Sequence, residues 1–418
     1  MTNRRKILIH SIAFSPDGVS TAYLYNDLAK KLNGSGYDVI VLTTTPHYNV
    51  VAEALERQPL KRRLGGLYFV SSFEGIPVIH VPQKKFKSTA LRILGFLYWH
   101  ILSFIIGLCQ GNVSLILSPS PPLTIGLINI TLAFFKRAKV IYNVQEIYPD
   151  FLIEQGGLRS SIVIRFLKSL ERFVYNKSDA VTTIDKMFYN TIVSRFTDKS
   201  KLRVIPNFVD TELYRPFLGE LPIDRILFPK NDRLKLMYAG NIGHAQDWEP
   251  LLESAIQLKE YPVDFYVIGE GVVKPYLETE IERLGLNNIK LLPYQNREQI
   301  PNLLAFSDIQ FIFMSKKMEN HGFPSKVYTI MACKKPLLIC SGRQTPIANF
   351  LEPINCAKLI TTSQKEEKVS EIVSFVKNIT KQELEQMADR GYKVVQSQYT
   401  KEVVTNQYKE LIDDLLVR

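Results

Sequence analysis

The chain has 418 residues, 46% of them hydrophobic, and a formal net charge of +11. That is too long for one core and fits two domains of about 200 residues each. The charge is uneven: residues 1–205 carry 26 Lys and Arg against 13 Asp and Glu, a net +13, and the remainder 26 against 28, a net −2. A basic first half suits nucleic acid or an anionic membrane face, and charge alone does not choose between them. The cysteines, Cys109, Cys333, Cys340 and Cys356, show no CxxC or Cys/His metal spacing. Their apolar surroundings predict reduced core residues of a cytosolic protein rather than a disulfide framework.

The first apolar run, Ile7 to Ala13, is interrupted by His10 and Ser11, and no small-residue cleavage site follows, so it reads as a strand and not as a secretory signal. Ser15-Pro16-Asp17-Gly18 is then a turn into a helix from about 20 to 33, with apolar positions at Ala22, Leu24, Tyr25, Leu28, Ala29 and Leu32. A second strand over 37–44 completes a β-α-β unit of the doubly wound kind, whose ligands bind beyond the carboxyl ends of its strands. The absence of a GxGxxG after the first strand argues against a nicotinamide or flavin enzyme.

Next comes a basic entry, Lys84, Lys85, Lys87 and Arg92, and an apolar run from Ile93 to Cys109 broken only by His100 and Ser103. The run is borderline against the ~20 residues of a typical membrane span, so a core helix, docking on a membrane surface and, least favoured, a true span are the readings to separate. Residues 115–135 are expected to form a strand, a rigid Ser-Pro-Ser-Pro-Pro loop and an apolar helix. After a strand ending near Asn143, Glu146 and Asp150 flank Tyr148-Pro149, where a general base or hydroxyl clamp would be useful. An amphipathic helix over 160–176 carries Arg165, Lys168, Glu171 and Arg172 on its polar face.

The first domain is assigned to 1–205 and a Pro-, Asp- and Lys-rich linker to 206–234. A second alternating domain, 235–395, opens on a buried strand into Gly240-Asn241-Ile242-Gly243, whose glycines let the backbone approach a ligand. Gly269-Glu270-Gly271 and Tyr294-Gln295 follow two further strands. The stretch Gly322 to Gly342 reads as a loop ending at Pro324, a helix opened by Ser325 as its cap, and a strand over 336–340. Lys326 then puts an ammonium beside the free amides of a helix start, a place to hold phosphate. A terminal helix, 396–418, closes the chain.

These motifs, in this order, resemble the family 4 retaining glycosyltransferases, and in particular a bacterial surface-polysaccharide branch that carries Pro-Ser-Lys at 324–326. The matches include Gly36 to Thr43, Ile205-Pro-Asn-Phe-Val-Asp210, the Gly240 and Gly269 loops, and 322–336. The resemblance implies an α/β protein of GT-B architecture, two doubly wound Rossmann-like domains facing across a cleft, with the terminal helix crossing back to the first. It implies transfer of a sugar, with retention and without a metal, from a UDP-sugar to a lipid-linked saccharide, the sugar being an N-acetylated amino or deoxyamino one. The product would be capsule, O-antigen or exopolysaccharide, made by a peripheral enzyme on the cytoplasmic face of an anionic membrane, with no nucleic-acid partner. Donor contacts would come from Gly240, Asn241, Gly243, Gly269, Tyr294, Pro324, Ser325, Lys326 and Thr329, the last standing where the family has a ribose-binding glutamate. Glu146 and Lys326 would be catalytic, with His10, Phe14, Ser15, Gly18 and Asp150 on the acceptor side. A nucleotide-sugar epimerase of the same architecture, and a non-catalytic nucleotide-sugar-binding member of an assembly complex, are the alternative readings.

Overall fold

A computed structural model describes residues 4–50, 52–83, 88–154, 156–217, 219–317, 319 and 323–417; Lys84, Lys85, Lys87 and Gly322 lie outside them. The chain divides into two compact units, one of residues up to 207 together with those from 404 onward, the other of residues 208–403.

The first unit is built on a nine-stranded sheet of order β3-β4-β5-β2-β1-β6-β7-β8-β9. Its strands are β1 (Lys6–His10), β2 (Asp38–Thr44), β3 (Lys61–Arg63), β4 (Tyr68–Phe73), β5 (Ile76–Val81), β6 (Val113–Pro119), β7 (Lys139–Val144), β8 (Ala180–Thr183) and β9 (Leu202–Val204). β1 lies at the centre, parallel to β2 with Ile7 opposite Val39 and to β6 with Ile7 opposite Leu115. Only β3 to β5 run antiparallel to one another, forming one edge. The longer helices of this unit include α1 (Ser20–Gly34), α2 (Thr89–Cys109), α3 (Leu123–Lys136) and α4 (Ser161–Lys177). The central strands are apolar through their middle residues because helices cover both faces, the condition for a parallel sheet. Ile7, Leu8, Ile9, Leu115, Ile116 and Leu117 are all fully buried.

The apolar run 93–109 lies inside α2, which begins at Thr89 and is 21 residues long. Trp99 and Ile106 enter the core, while Leu94, Tyr98, Ile101 and Ile105 are half exposed, so the helix is embedded on one side only. Among the described residues no helix is long and apolar enough to cross a membrane. Cys109, expected in the core, is exposed at the end of α2, whereas Cys333, Cys340 and Cys356 are buried.

The second unit has a six-stranded, all-parallel sheet of order β12-β11-β10-β13-β14-β15. The strands are β10 (Leu234–Ala239), β11 (Val263–Ile268), β12 (Ile289–Leu292), β13 (Ile309–Phe313), β14 (Leu337–Cys340) and β15 (Ala357–Ile360). The strand order reverses at β10, which pairs with β11 on one side and β13 on the other. In such sheets the crevice beyond the carboxyl ends at the reversal is where ligands bind.

Residues 208–217 and 219–233, most of the expected linker, belong to this second unit. Val209 and Tyr214 join a cluster with Val327, Tyr328 and Met331, and Phe228 joins another with Tyr266 and Phe306. The helical end of the chain is broken at Tyr399-Thr400 into α6 (Lys381–Gln398) and α7 (Lys401–Val417), counting Lys326–Ala332 as α5. There Val209 donates its amide to Tyr399 O and accepts from Lys401 N. From Val404 onward α7 belongs to the first unit, where the Tyr408 and Thr182 hydroxyls meet at 3.4 Å.

Candidate functional site

Four loops at the carboxyl edge of the second sheet converge on one cavity of about 380 Å³. Ala239 ends β10 and Gly240 and Asn241 follow it; Ile268 ends β11 and Gly269 and Glu270 follow it; Tyr294 and Gln295 follow β12; Ser325, Lys326 and Thr329 belong to the start of α5 after β13. Tyr214 and Ile300 complete the lining. The cavity sits at the strand-order reversal, as the sheet rule requires.

Lys326 is the only cation lining it among the described residues. Its Nζ donates to Ala239 O at 3.0 Å and stands 3.9 Å from the Tyr238 ring centroid. Desolvation pushes its pKa down to about 8, and no carboxylate of the described residues pairs with it. An ammonium held without a counter-charge in a concave site is made for an anion. The loops around it are fixed: the Tyr238 hydroxyl donates to Asn241 O, Gly240 N to Ile268 O, Ile242 N to Glu270 O and Gly269 N to Leu292 O. A Cβ on Gly240 would lie 2.5 Å from Lys326 Nζ, so glycine is what admits the ammonium here.

In the first unit, the Ser120 hydroxyl accepts from Gln145 N at 3.1 Å and donates to Glu146 O at 3.2 Å, stitching the proline-rich loop after β6 to the loop after β7. Gln145 and Asn207 exchange side-chain hydrogen bonds of 3.0 and 2.9 Å. The Ile-Pro-Asn motif therefore braces the residue preceding Glu146. Partial burial raises the Glu146 pKa, opposed by a hydrogen bond from Tyr148.

Both halves of the chain match known families. Residues 21–213 match the model described as Glycosyltransferase Family 4, and residues 222–394 the model described as Glycosyl transferases group 1. The chain belongs to the family 4 glycosyltransferases. It is 24% identical over 358 residues to WcaI of Escherichia coli K12, named as a putative colanic acid biosynthesis glycosyl transferase, covering 83% of this chain and 86% of that one. It is 28% identical over 238 residues to WbjE of Pseudomonas aeruginosa, named as a probable glycosyltransferase, covering 55% and 57%. Among solved structures, HepE of Anabaena in complex with UDP aligns with a TM-score of 0.73 at 16% identity, over 98% of this chain and all of that one. Sucrose-phosphate synthase of Thermosynechococcus elongatus aligns with a TM-score of 0.74 at 12% identity, over 99% and 100%. The fold is GT-B.

In this glycosyltransferase the residues expected at the donor are partly gathered and partly not. Gly240, Asn241, Gly269, Tyr294, Ser325, Lys326 and Thr329 line the cavity together, whereas Gly243 and Pro324 do not. Gly243 is buried, and its carbonyl accepts from Trp248 Nε1 at 3.2 Å. Ser325 does not cap α5: its own backbone is helical, at φ −56° and ψ −23°, and its hydroxyl makes no cap bond. Tyr214, Glu270, Gln295 and Ile300 were not expected as contacts. Glu270 and Gln295 adjoin expected positions, but only packing could reveal Tyr214, from the supposed linker.

Most of the residues expected on the acceptor side are packed inward. His10 is fully buried, with Nδ1 2.6 Å from Asn129 Oδ1, and burial lowers its pKa to about 4. Phe14 packs edge-on against Phe73 at 5.3 Å, and the Ser15 hydroxyl donates to Gln58 Oε1 at 2.8 Å, so both face inward. Asp150 is tied to Arg195 at 2.5 Å and to Lys168 at 3.6 Å, and Arg195 also pairs with buried Glu171. These contacts hold the end of β1, the segment after it and the segment after β7 in place. Gly18 stays partly exposed and binds Tyr48 O through its amide at 3.0 Å.

The lowered pKa of Lys326 has a measurable sign. Between about 8 and the ordinary lysine value of 10.5 the unfolded chain holds the proton that the folded chain has lost, so stability rises with pH across that window, and the penalty is fully present below it. Anion binding runs the other way, because the ligand favours the ammonium. Calorimetry with inorganic pyrophosphate is expected to show affinity falling as pH rises through about 8, with proton uptake near that pH, read from buffers of different ionisation enthalpy. Lys326→Met should take up no proton.

Proposed function

We propose that this glycosyltransferase moves a sugar, an N-acetylated amino or deoxyamino one, from a UDP-sugar to a lipid-linked saccharide at an anionic membrane face, in the assembly of a bacterial capsule, O-antigen or exopolysaccharide. The observation that carries the donor half is the Lys326 ammonium, which no carboxylate of the described residues neutralises, set in one cavity with two glycine loops and Tyr294. A diphosphate fits the ammonium and the close backbone of the Gly240 and Gly269 loops, and a base fits the exposed ring of Tyr294. Thr329, one helical turn beyond Lys326, offers the ribose a neutral hydroxyl. HepE, of the same fold, is solved with UDP and with UDP-glucose, and the name of WcaI supplies the polysaccharide context.

The chemistry asked of the cavity is to stabilise the charge that develops on the departing diphosphate, which a fixed ammonium does without reorganisation. Glu146 is assigned the acceptor hydroxyl. Its raised pKa makes it a better proton acceptor than a solvated carboxylate, and the Ser120 and Asn207 contacts hold its loop.

Thermal unfolding across nucleoside diphosphates tests the donor. A hundredfold excess of UDP over its Kd should stabilise the protein by about 2.7 kcal/mol, and GDP and ADP should do less. Glu146→Gln should keep that stabilisation yet lower transfer about 10²-fold or more. No stabilisation by UDP would overturn the donor, and undiminished transfer in Glu146→Gln would overturn its role.

A further inference from the structure

On one side of the first unit α2 packs against α3 and α3 against α4. Their inner faces meet in one core through Trp99, Ile106, Leu132 and Val174. Their outer sides also carry exposed apolar side chains. α2 exposes Leu94, Tyr98, Ile101 and Ile105 at intervals of three and four; α3 exposes Phe134 at 79% and Phe135 at 62%; α4 exposes Ile162 at 77% and Phe166 at 65%. The Phe135 ring touches Phe104 of α2 at 6.1 Å, so the α2 and α3 faces are continuous. Contiguous apolar surface of this kind is rare on a protein that meets only water.

The exposed charges on these helices have one sign. Their single carboxylate, Glu171, is 1% exposed and paired with Arg195. Arg165 and Arg172 are exposed on α4, while Lys168 between them also reaches Asp150. An apolar plane bordered by cations, with no outward carboxylate, is complementary to a bilayer bearing anionic headgroups.

We infer that α2, α3 and α4 together form one membrane-seating plane, in which Phe134 and Phe135 of α3 and Ile162 and Phe166 of α4 enter the lipid while Arg165 and Arg172 meet anionic headgroups. This extends the proposed membrane reading from a single helix to three, and rests on it. A plane fixes how the unit faces the bilayer, which one helix could not do, since a lone cylinder can roll.

The test is flotation of the full chain with vesicles of phosphatidylethanolamine and phosphatidylglycerol, against phosphatidylcholine alone. Wild type should float with the anionic vesicles. Phe134→Ser with Phe135→Ser should lower the partition coefficient about tenfold or more, and Arg165→Gln with Arg172→Gln about fivefold per charge, although α2 is untouched. Unchanged melting confirms folding, since all four side chains are exposed. In parallel, Phe134→Trp should shift its emission to the blue and be quenched by brominated lipid. Wild-type flotation with the α3 and α4 variants floating equally, and no quenching, would confine contact to α2 and overturn the plane alone. Failure of wild type to float, or dissociation of a dimer by the same variants without lipid binding, would overturn the membrane reading too, while UDP stabilisation would still report the donor site.

Discussion

Lys326→Ala is expected to lower sugar transfer about 10²–10³-fold, the usual cost of removing one fixed donor from a developing oxyanion. It should also weaken UDP about tenfold to a hundredfold, as a charge-assisted hydrogen bond to phosphate is lost. The folded protein should not suffer in proportion. Among the described residues Lys326 has no carboxylate partner to strand, and its ammonium is held against desolvation, so the alanine variant is expected to melt no lower than wild type. That combination separates a ligand-binding lysine from a structural one, whose removal would cost stability. Lys326→Arg should not rescue, because Nζ already lies where a Cβ on Gly240 would be only 2.5 Å away, and a planar guanidinium needs more room. Activity and UDP affinity unchanged in Lys326→Ala would remove the lysine from the site.

Much of this cavity could be read from the sequence because its parts are local. Gly240 and Gly269 each end an apolar run, and Lys326 opens a helix after another, so strand periodicity alone brings them to one sheet edge. What could not be read depends on distant partners. His10, Phe14 and Ser15 end or follow β1 as a ligand loop would, but Asn129, Phe73 and Gln58, far along the chain, turn them inward. Tyr214 is hidden in the sequence because the Pro-, Asp- and Lys-rich stretch around it resembles a linker, and its buried residues, Val209, Tyr214 and Phe228, are too widely spaced to show a period. In α3 the difficulty is different: that helix is apolar on nearly every side, so only the packed structure shows that Leu132 faces the core and Phe134 faces outward. Ser325 misleads for a third reason, since a serine before a helix signals a cap only if its own backbone is extended, and this one is helical.

Gly269→Ala should be the most damaging small substitution in the second unit. A Cβ there would stand 1.9 Å from Gly240 O and 3.0 Å from Gly240 C, at φ +148°. The obstacle is backbone, so no side-chain rotation relieves it. Nor can either loop retreat cheaply: Gly269 N is bonded to Leu292 O and Gly240 N to Ile268 O, so separation breaks ladder bonds at the ends of β10, β11 and β12. The expected cost is about 3–5 kcal/mol, in the range of severe single substitutions, which lowers the melting temperature by roughly 10 °C for a unit of this size. Because Gly240 O is the atom struck, any relaxation also moves the loop that faces Lys326, and UDP stabilisation should be lost even where the variant remains folded. Gly285→Ala is the control. That glycine is also left-handed, at φ +60°, ending the helix Lys274–Leu284, but a Cβ there meets only the end of Lys259 at 3.7 Å. It should cost about 1 kcal/mol, the conformational term alone, and leave UDP binding intact. Equal effects at the two positions would mean that backbone conformation, and not the contact between the two loops, governs the site.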